Sequence, residues 1–454
     1  MSKLLDSFNA SMLAELTGGL LQGSPEAPIL RARADSRICG QGDLFIALPG
    51  EKLDGNQFAE DAWNRGAAVV LAKKGSRLPK PAPGKALILV EDTHNALLRA
   101  AAARRNAAPD LEVVGITGSN GKTTTKDILA AIMTARHGDK VLVTPGNYNS
   151  DIGLPLTLFG LRAEHRYAVI EMGMNYVGEM KLLTELIRPR VGVITNIGMA
   201  HVGKVGSLEA IAREKRAVLK VADSAVIWEN EPWKDFLAEN FQGQIRYFGK
   251  WGEKGWIGFK DRGLDGFVIK YKDYNIHFAL AGEHNLRNAM AAAEAAIVLG
   301  APDSAIKAGL ESVRPAAGRC EVVDGRVTVV NDCYNANPES LMASLEFFAN
   351  LNSSGRHVAV LGEMLELGHE CRAALQKSGR AIARFKPDAL FLLGDSLSIV
   401  EEVLQSEHYN GYMMRYLSME KLRHGLAEYV RPGDAVLLKG SRMNALERVM
   451  DVLM

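Results

Sequence analysis

The stretch Gly115-Ile-Thr-Gly-Ser-Asn-Gly-Lys-Thr-Thr-Thr-Lys126, GITGSNGKTTTK, constrains the fold more than any other part of the chain. It closes LEVVGIT (Leu111 to Thr117), a short apolar, β-branched run of the kind that forms a strand buried on both faces. Beyond it, Ile128, Leu129, Ile132 and Met133 recur at i, i+3 and i+4 spacing, which predicts a helix starting at Lys122 with one apolar face. Strand, glycine-rich loop and helix in that order make a phosphate cradle. Backbone N–H groups of the turn and of the helix start converge on one anion, and the helix dipole adds to them. Lys122 can reach the β- and γ-phosphates of a nucleotide, and the Thr123 hydroxyl can ligate Mg²⁺. The common pattern G-x-x-x-x-G-K-[ST] would put its first glycine at Ile116, so the loop departs from that pattern at one position.

The rest of the chain extends the α/β grammar. YAVIEMG (Tyr167 to Gly173), VGVITNIG (Val191 to Gly198) and SAVIWEN (Ser224 to Asn230) read as further buried strands of a parallel sheet with helices on both sides. VTVVND, HVAVLGE, ALFLLGD and AVLLKGS repeat the pattern towards the C-terminus, as a second, smaller Rossmann-like domain would. GDLFIALPG and GAAVVLA supply strands for a small N-terminal α/β module, and MSKLLDSFNASMLAELTGG reads as an amphipathic helix. Pro- and Gly-rich stretches at Lys73 to Lys85 and Ser312 to Arg319 read as boundaries. The expectation is an α/β chain of three domains: 1–85, a central ATPase-like domain at 86–313, and 314–454.

Composition narrows the function. With 24% charged residues and a formal net charge of +1, nothing points to nucleic acid or anionic membrane as a partner. The cysteines Cys39, Cys320, Cys333 and Cys371 lack metal or C-x-x-C spacing and are expected to be reduced thiols. The N-terminal stretch lacks the unbroken apolar core of a signal peptide. No apolar run approaches the roughly 20 residues that span a bilayer. A cytoplasmic protein is expected.

Ligands of open parallel sheets bind at the carboxyl ends of the strands. There the sequence has Glu171, then Asn196 and His201, beside the P-loop threonine; together they would suit divalent ions that bridge phosphate oxygens. Alone, Glu171 is equally a solvated strand end and His201 a hydrogen-bonded loop histidine. Asn147 and Asn149, in TPGNYNSDIG, could serve a peptide-like ligand through their amides or simply make a turn.

TGSNGKTTTK, EMG, TNIGMAH, AGEHNLRNAMAA, the AGR at 317–319, DCYNANPES and LLKGSR together resemble the Mur ligase family over nearly the whole chain. The family's loop has the short form [ST]-G-x-x-G-K-T-T, which Thr117-Gly118 fits. YNANP (Tyr334 to Pro338), LGEMLELG (Leu361 to Gly368) and KGSRMNALE (Lys439 to Glu447) most resemble the member that joins D-alanyl-D-alanine to UDP-N-acetylmuramoyl-tripeptide. The D-N-P-x-R motif of the diaminopimelate-adding member is absent.

The resemblance implies roles residue by residue. Gly118, Ser119, Asn120, Gly121, Lys122, Thr123 and Thr124 would hold ATP. Thr123 and Glu171 would take one Mg²⁺, and Glu171 and His201 a second. Lys215, in AIAREKRAV, would be carbamylated and ligate that second ion, although Arg213, Lys215 and Arg216 by themselves read as a basic, solvated helix face. His284, Asn285 and Asn288 would lie near adenine, Arg319 on ATP phosphate, Asp332 on the ribose with Asn335 nearby. Asn147, Asn149, Asn196 and Asn337 would face the substrates, and Asp35-Ser36-Arg37 with Asp54-Gly55 the uridine diphosphate. Four positions depart from the family pattern: Asn56 replaces a histidine, Gly203 a glutamate and Ala217 an acid, while Lys204 adds a charge.

The implied reaction is ATP-dependent amide formation through an acyl phosphate, by a monomer. Folylpolyglutamate synthase shares the loop type and domain order, but YNANP and the first domain count against it. A regulatory NTPase is disfavoured by the intact Lys122, Glu171 and His201 and by the lack of N-K-x-D.

Overall fold

The computed structural model describes residues 3–50 and 53–454. Three α/β domains follow one another along the chain. The first is built on a five-stranded sheet in the order Leu20–Gly23, Ala86–Val90, Val69–Lys73, Asp43–Ile46, Arg31–Arg33. All its pairings are parallel except the one between Leu20–Gly23 and Ala86–Val90. The boundary expected after residue 85 therefore falls one strand early: Ala86–Val90 lies inside the first sheet. The Pro-rich stretch before it is a surface connection within that domain, because proline and glycine mark any loop, whether or not it separates domains.

The N-terminal amphipathic stretch forms two helices, Lys3–Asp6 and Ala10–Thr17, and Met1 and Ser2 lie outside the described residues. The break is local chemistry: the Asn9 side chain accepts from Met12 N and caps the second helix.

The central domain carries a six-stranded, wholly parallel sheet in the order Gln244–Phe248, Ser224–Trp228, Val191–Ile194, Glu112–Thr117, Tyr167–Glu171, Val141–Val143. The strand that feeds the phosphate loop is thus interior, with Val191–Ile194 and Tyr167–Glu171 as neighbours, which is why Glu171 and the chain after Ile194 converge on the loop. Helix Lys122–His137 buries Ile128, Leu129, Ile132 and Met133 completely. A three-stranded antiparallel sheet, Trp256–Asp261, Phe267–Tyr271 and Tyr274–Phe278, adds to this domain, burying Phe267, Ile269, Tyr271, Ile276 and Phe278 on one face.

The C-terminal sheet has the order Glu321–Asp324, Thr328–Asn331, Ala435–Lys439, His357–Gly362, Ala389–Leu393, Tyr412–Tyr416, parallel apart from its first strand. Arg104, 3% exposed, fastens the first two domains: from helix Thr93–Asn106 its guanidinium donates to the carbonyls of Leu158 and Phe159 (both 3.1 Å), Leu161 (2.5 Å) and Leu4. Among the described residues no helix is long and apolar enough to cross a membrane.

Candidate active site

The phosphate loop is shaped by what cannot fit there. Gly118 has φ +151°, and a Cβ on it would lie 1.8 Å from Thr195 Oγ1; only glycine lets the loop run this close to the neighbouring strand end. That strand end grips the loop. Asn196 accepts from Asn120 N (3.0 Å) and donates Nδ2 to Asn120 O (3.0 Å), and Thr195 Oγ1 donates to the same carbonyl (2.6 Å). Ser119 Oγ is fixed against Gly198. Asn196, expected to face the acceptor, thus has its amide committed to shaping the loop. No side chain caps the first turn of helix Lys122–His137, which leaves its N-terminal N–H groups to an anion.

Two amines meet on one oxygen. Lys122 Nζ donates to Gly118 O at 2.8 Å and Lys215 Nζ donates to it at 2.9 Å. Burial lowers the pKa of Lys122, with Glu171 opposing. Lys215 is 1% exposed, and burial followed by the charge of Lys122 pushes its pKa far down. The basic helix face read from Arg213, Lys215 and Arg216 does not exist: Arg213 pairs with Glu209 in solvent, while Lys215 points into the core. Residues two apart on a helix face different ways.

Glu171 is 1% exposed at its strand end. Its Oε1 accepts from Asn149 Nδ2 at 2.6 Å, while Oε2 is buried without a partner. A buried, half-satisfied carboxylate is costly unless a cation completes it. With the Thr123 hydroxyl on the same cavity wall, it fits one divalent ion. Among the described residues no three His, Cys, Asp or Glu side chains cluster closely enough to hold a metal. Such an ion would therefore take phosphate oxygens and water as its remaining ligands. His201, at φ +64°, lies with Nδ1 2.8 Å from Glu366 Oε2, close but not aligned as a hydrogen bond. Lys215 as an amine is no cation ligand, so a second ion fits only if that nitrogen is modified.

A cavity of about 710 Å³ runs from this loop to the C-terminal domain. From the central domain His284, Asn285 and Asn288 line it; burial lowers the His284 pKa to about 4. Asn285 Nδ2 donates to Ala281 O and Asn288 Nδ2 to Asn285 Oδ1. From the C-terminal domain come Arg319, stacked 3.9 Å from the Tyr334 ring centroid, and Asp332. Asp332, expected on a ribose, is already engaged by Lys439 Nζ (2.6 Å), Ser344 Oγ (2.5 Å) and Cys320 N (3.2 Å). Asn335 accepts from Ala336 N. Asn337 caps helix Pro338–Ala349 in a capping box and pairs its amide with that of Asn120 across the domain boundary.

Asn147 and Asn149 line the cavity, on a loop pinned through Asp151 to Glu179, Tyr176 and His94. Asp35, Ser36, Arg37, Asp54 and Gly55 do not line it. They form two short turns of the first domain, where Asp35 pairs with Arg37 and Asp54 caps with Asn56. Sequence reasoning missed Lys439, Ser344, Glu366, and Trp228 with Arg287, whose guanidinium lies 4.8 Å from the indole in the cavity wall. Lys439, Glu366 and Arg287 had local signals, lying inside KGSRMNALE, LGEMLELG and AGEHNLRNAMAA, while Ser344 and Trp228 had none of that kind.

The chain matches models of known domains along most of its length: the Mur ligase family catalytic domain at residues 32–105, the Mur ligase middle domain at 116–296, and the Mur ligase glutamate ligase domain at 318–442. It is 36% identical over 429 residues to the UDP-N-acetylmuramoyl-tripeptide–D-alanyl-D-alanine ligase of Treponema pallidum, covering 92% of each chain. To the enzyme of that name from Bacillus subtilis it is 33% identical, covering 96% of each. Among solved structures it is similar to MurF from Acinetobacter baumannii (TM-score 0.85, 29% identity, 99% of each chain). It is also similar to MurF ligase from Thermotoga maritima in complex with ADP (TM-score 0.74, 25% identity, 93% of this chain and 96% of that one). The chain belongs to the Mur ligase family.

Proposed function

We propose that the protein is an ATP-dependent ligase that joins D-alanyl-D-alanine to UDP-N-acetylmuramoyl-tripeptide, acting in the cytoplasm as a monomer in peptidoglycan precursor synthesis. One observation carries this reading beyond the names of the relatives. The uncapped phosphate loop, the half-satisfied Glu171 and the amide-bearing Asn147–Asn149 loop open into one cavity whose other wall is the C-terminal domain.

The chemistry needs activation, because a carboxylate oxygen is a poor leaving group. The loop N–H groups and Lys122 spread the charge of the γ-phosphoryl group while the tripeptide carboxylate attacks it, giving an acyl phosphate and ADP. Mg²⁺ at Thr123 and Glu171 would supply further neutralisation of phosphate charge. Lys215, held as a desolvated amine, is suited to react with CO₂; as a carbamate it would join Glu171 and His201 around a second ion. Asn147 would orient the acceptor, and Asn149 holds Glu171 in place for the cation. The dipeptide amine then attacks the acyl carbon, and phosphate leaves. His284, Asn285 and Asn288 would line the adenine end and Arg319 would reach the phosphates. The Asp35 and Asp54 turns would receive the uridine diphosphate. A cavity walled by two domains keeps water from the acyl phosphate.

The test is phosphate release from ATP with Mg²⁺, the UDP-linked tripeptide and D-alanyl-D-alanine. Release that requires both co-substrates supports the proposal, and release indifferent to either sinks it.

A further inference from the structure

Two of the departures from the family pattern, Gly203 and Lys204, meet a single segment of the C-terminal domain. Gly203 N donates to Glu366 O at 2.9 Å, and Lys204 Nζ lies 3.1 Å from Glu366 Oε1. The other carboxylate oxygen, Oε2, lies 2.8 Å from His201 Nδ1. Both residues of that last contact have left-handed backbone, φ +64° at His201 and +71° at Glu366, a conformation kept only where the surroundings impose it. The approach also leaves no room for a side chain: a Cβ on Gly203 would lie 2.5 Å from Gly368 N and 2.7 Å from Glu366 O. Two backbones from different domains are therefore fitted to each other at the place where His201 enters the cavity wall.

A histidine that ligates a metal generally gives its other ring N–H to a carboxylate, which fixes the tautomer and orients the ring. We propose that Glu366 is the positioning residue of His201: brought in by docking of the C-terminal domain, its carboxylate takes the Nδ1 proton side and leaves Nε2 to a divalent cation. The inference rests on the reading of His201 as a cation ligand. It adds that the cation site is complete only when the C-terminal domain is seated. Lys204 holds the second carboxylate oxygen and so sets the direction of the first. The present contact is close but unaligned, and it would come into line as the cation pulls on Nε2. The consequence for the reaction is order: the phosphoryl group would be activated only once the domains have closed and water is out.

The experiment uses the full-length protein, a non-hydrolysable ATP analogue and Mn²⁺, with free Mn²⁺ followed by electron paramagnetic resonance. In the wild type, with bicarbonate added to carbamylate Lys215, we expect two Mn²⁺ per chain. Glu366→Ala should weaken one of them about tenfold or more. Glu366→Gln, whose amide oxygen still accepts from Nδ1–H, should recover part of that loss. Gly203→Ala leaves both side chains in place but should give the same weakening, because its methyl holds the 366–368 segment off. The thermal midpoint of each variant reports whether it folds, and Gly203→Ala and Glu366→Gln carry the test if Glu366→Ala does not. Wild-type Mn²⁺ affinity in the folded Ala variants overturns the positioning role. Two ions never bound by the wild type would overturn the cation reading beneath it, and the ligase assay above tells that outcome apart from a failure of the reaction itself.

Discussion

Asn120 and Asn337 bond each other twice across the domain boundary: Asn337 Nδ2 donates to Asn120 Oδ1 at 2.7 Å, and Asn120 Nδ2 returns to Asn337 Oδ1 at 3.2 Å. The phosphate loop is thereby tied to the helix cap of the other domain. Asn337→Ser separates the two jobs, since serine caps a helix well but cannot reach Asn120. Two hydrogen bonds of about 1 kcal/mol each predict a domain-docking equilibrium weakened roughly thirtyfold. The KM for ATP should rise accordingly while the thermal midpoint hardly moves. An unchanged KM would remove the pair from the docking mechanism.

Gly118→Ala should abolish nucleotide binding without unfolding the protein. The added methyl would overlap Thr195 Oγ1 and the backbone would have to leave φ +151°. Titration calorimetry with ATP is the check, and retention of affinity within tenfold would contradict the close-approach argument.

Lys215→Ala should lose at least a hundredfold in activity and regain part of it with added acetate, a short carboxylate that can occupy the space of a carbamate. Lys215→Arg should be inactive and not rescued, because its guanidinium cannot be carbamylated. Full activity in either variant would dismiss the modification.

His284 imposes a pH dependence on stability. Its folded pKa of about 4 lies below the ordinary value of 6.5. Above pH 6.5 the ring is neutral folded or unfolded and has no effect. As pH falls from 6.5 towards 4 only the unfolded chain takes the proton, so about 1–3 kcal/mol of stability is lost over that window. His284→Gln should flatten this part of the profile when urea midpoints are compared at pH 7.5 and pH 4.5. Parallel profiles would refute the assignment.

Arg104→Leu strips donors from three buried carbonyls and a half-buried one and should cost about 3 kcal/mol or more. Thermal unfolding should show the loss; a drop under 1 kcal/mol would mean that water replaces the guanidinium.

What could be read in advance was what is local. The phosphate loop, the helix behind it and the strand ends bearing Glu171 and the His201 segment all follow from short runs of residues whose spacing states their geometry. Lys215 shows the limit from one side: three basic residues in four positions suggested a solvated face, but a helix turns by 100° per residue and only one of them meets Gly118. Asn337 shows it from the other. Its partner is 217 residues away, and no local pattern encodes a contact between domains. The antiparallel sheet after Trp256 passed unread because its alternation of buried and exposed residues is short and its β-hairpin turn, Lys272-Asp273, is not one of the strong turn signals.

The shared carbonyl of Gly118 has one more implication. Two amines converge on a single neutral oxygen, so the loop is short of negative charge before any ligand arrives. A phosphate group supplies what is missing. Part of the affinity for nucleotide is then relief of the desolvation imposed on Lys122, and a substitution that removes that amine would make the resting chain more comfortable while making it a poorer receptor.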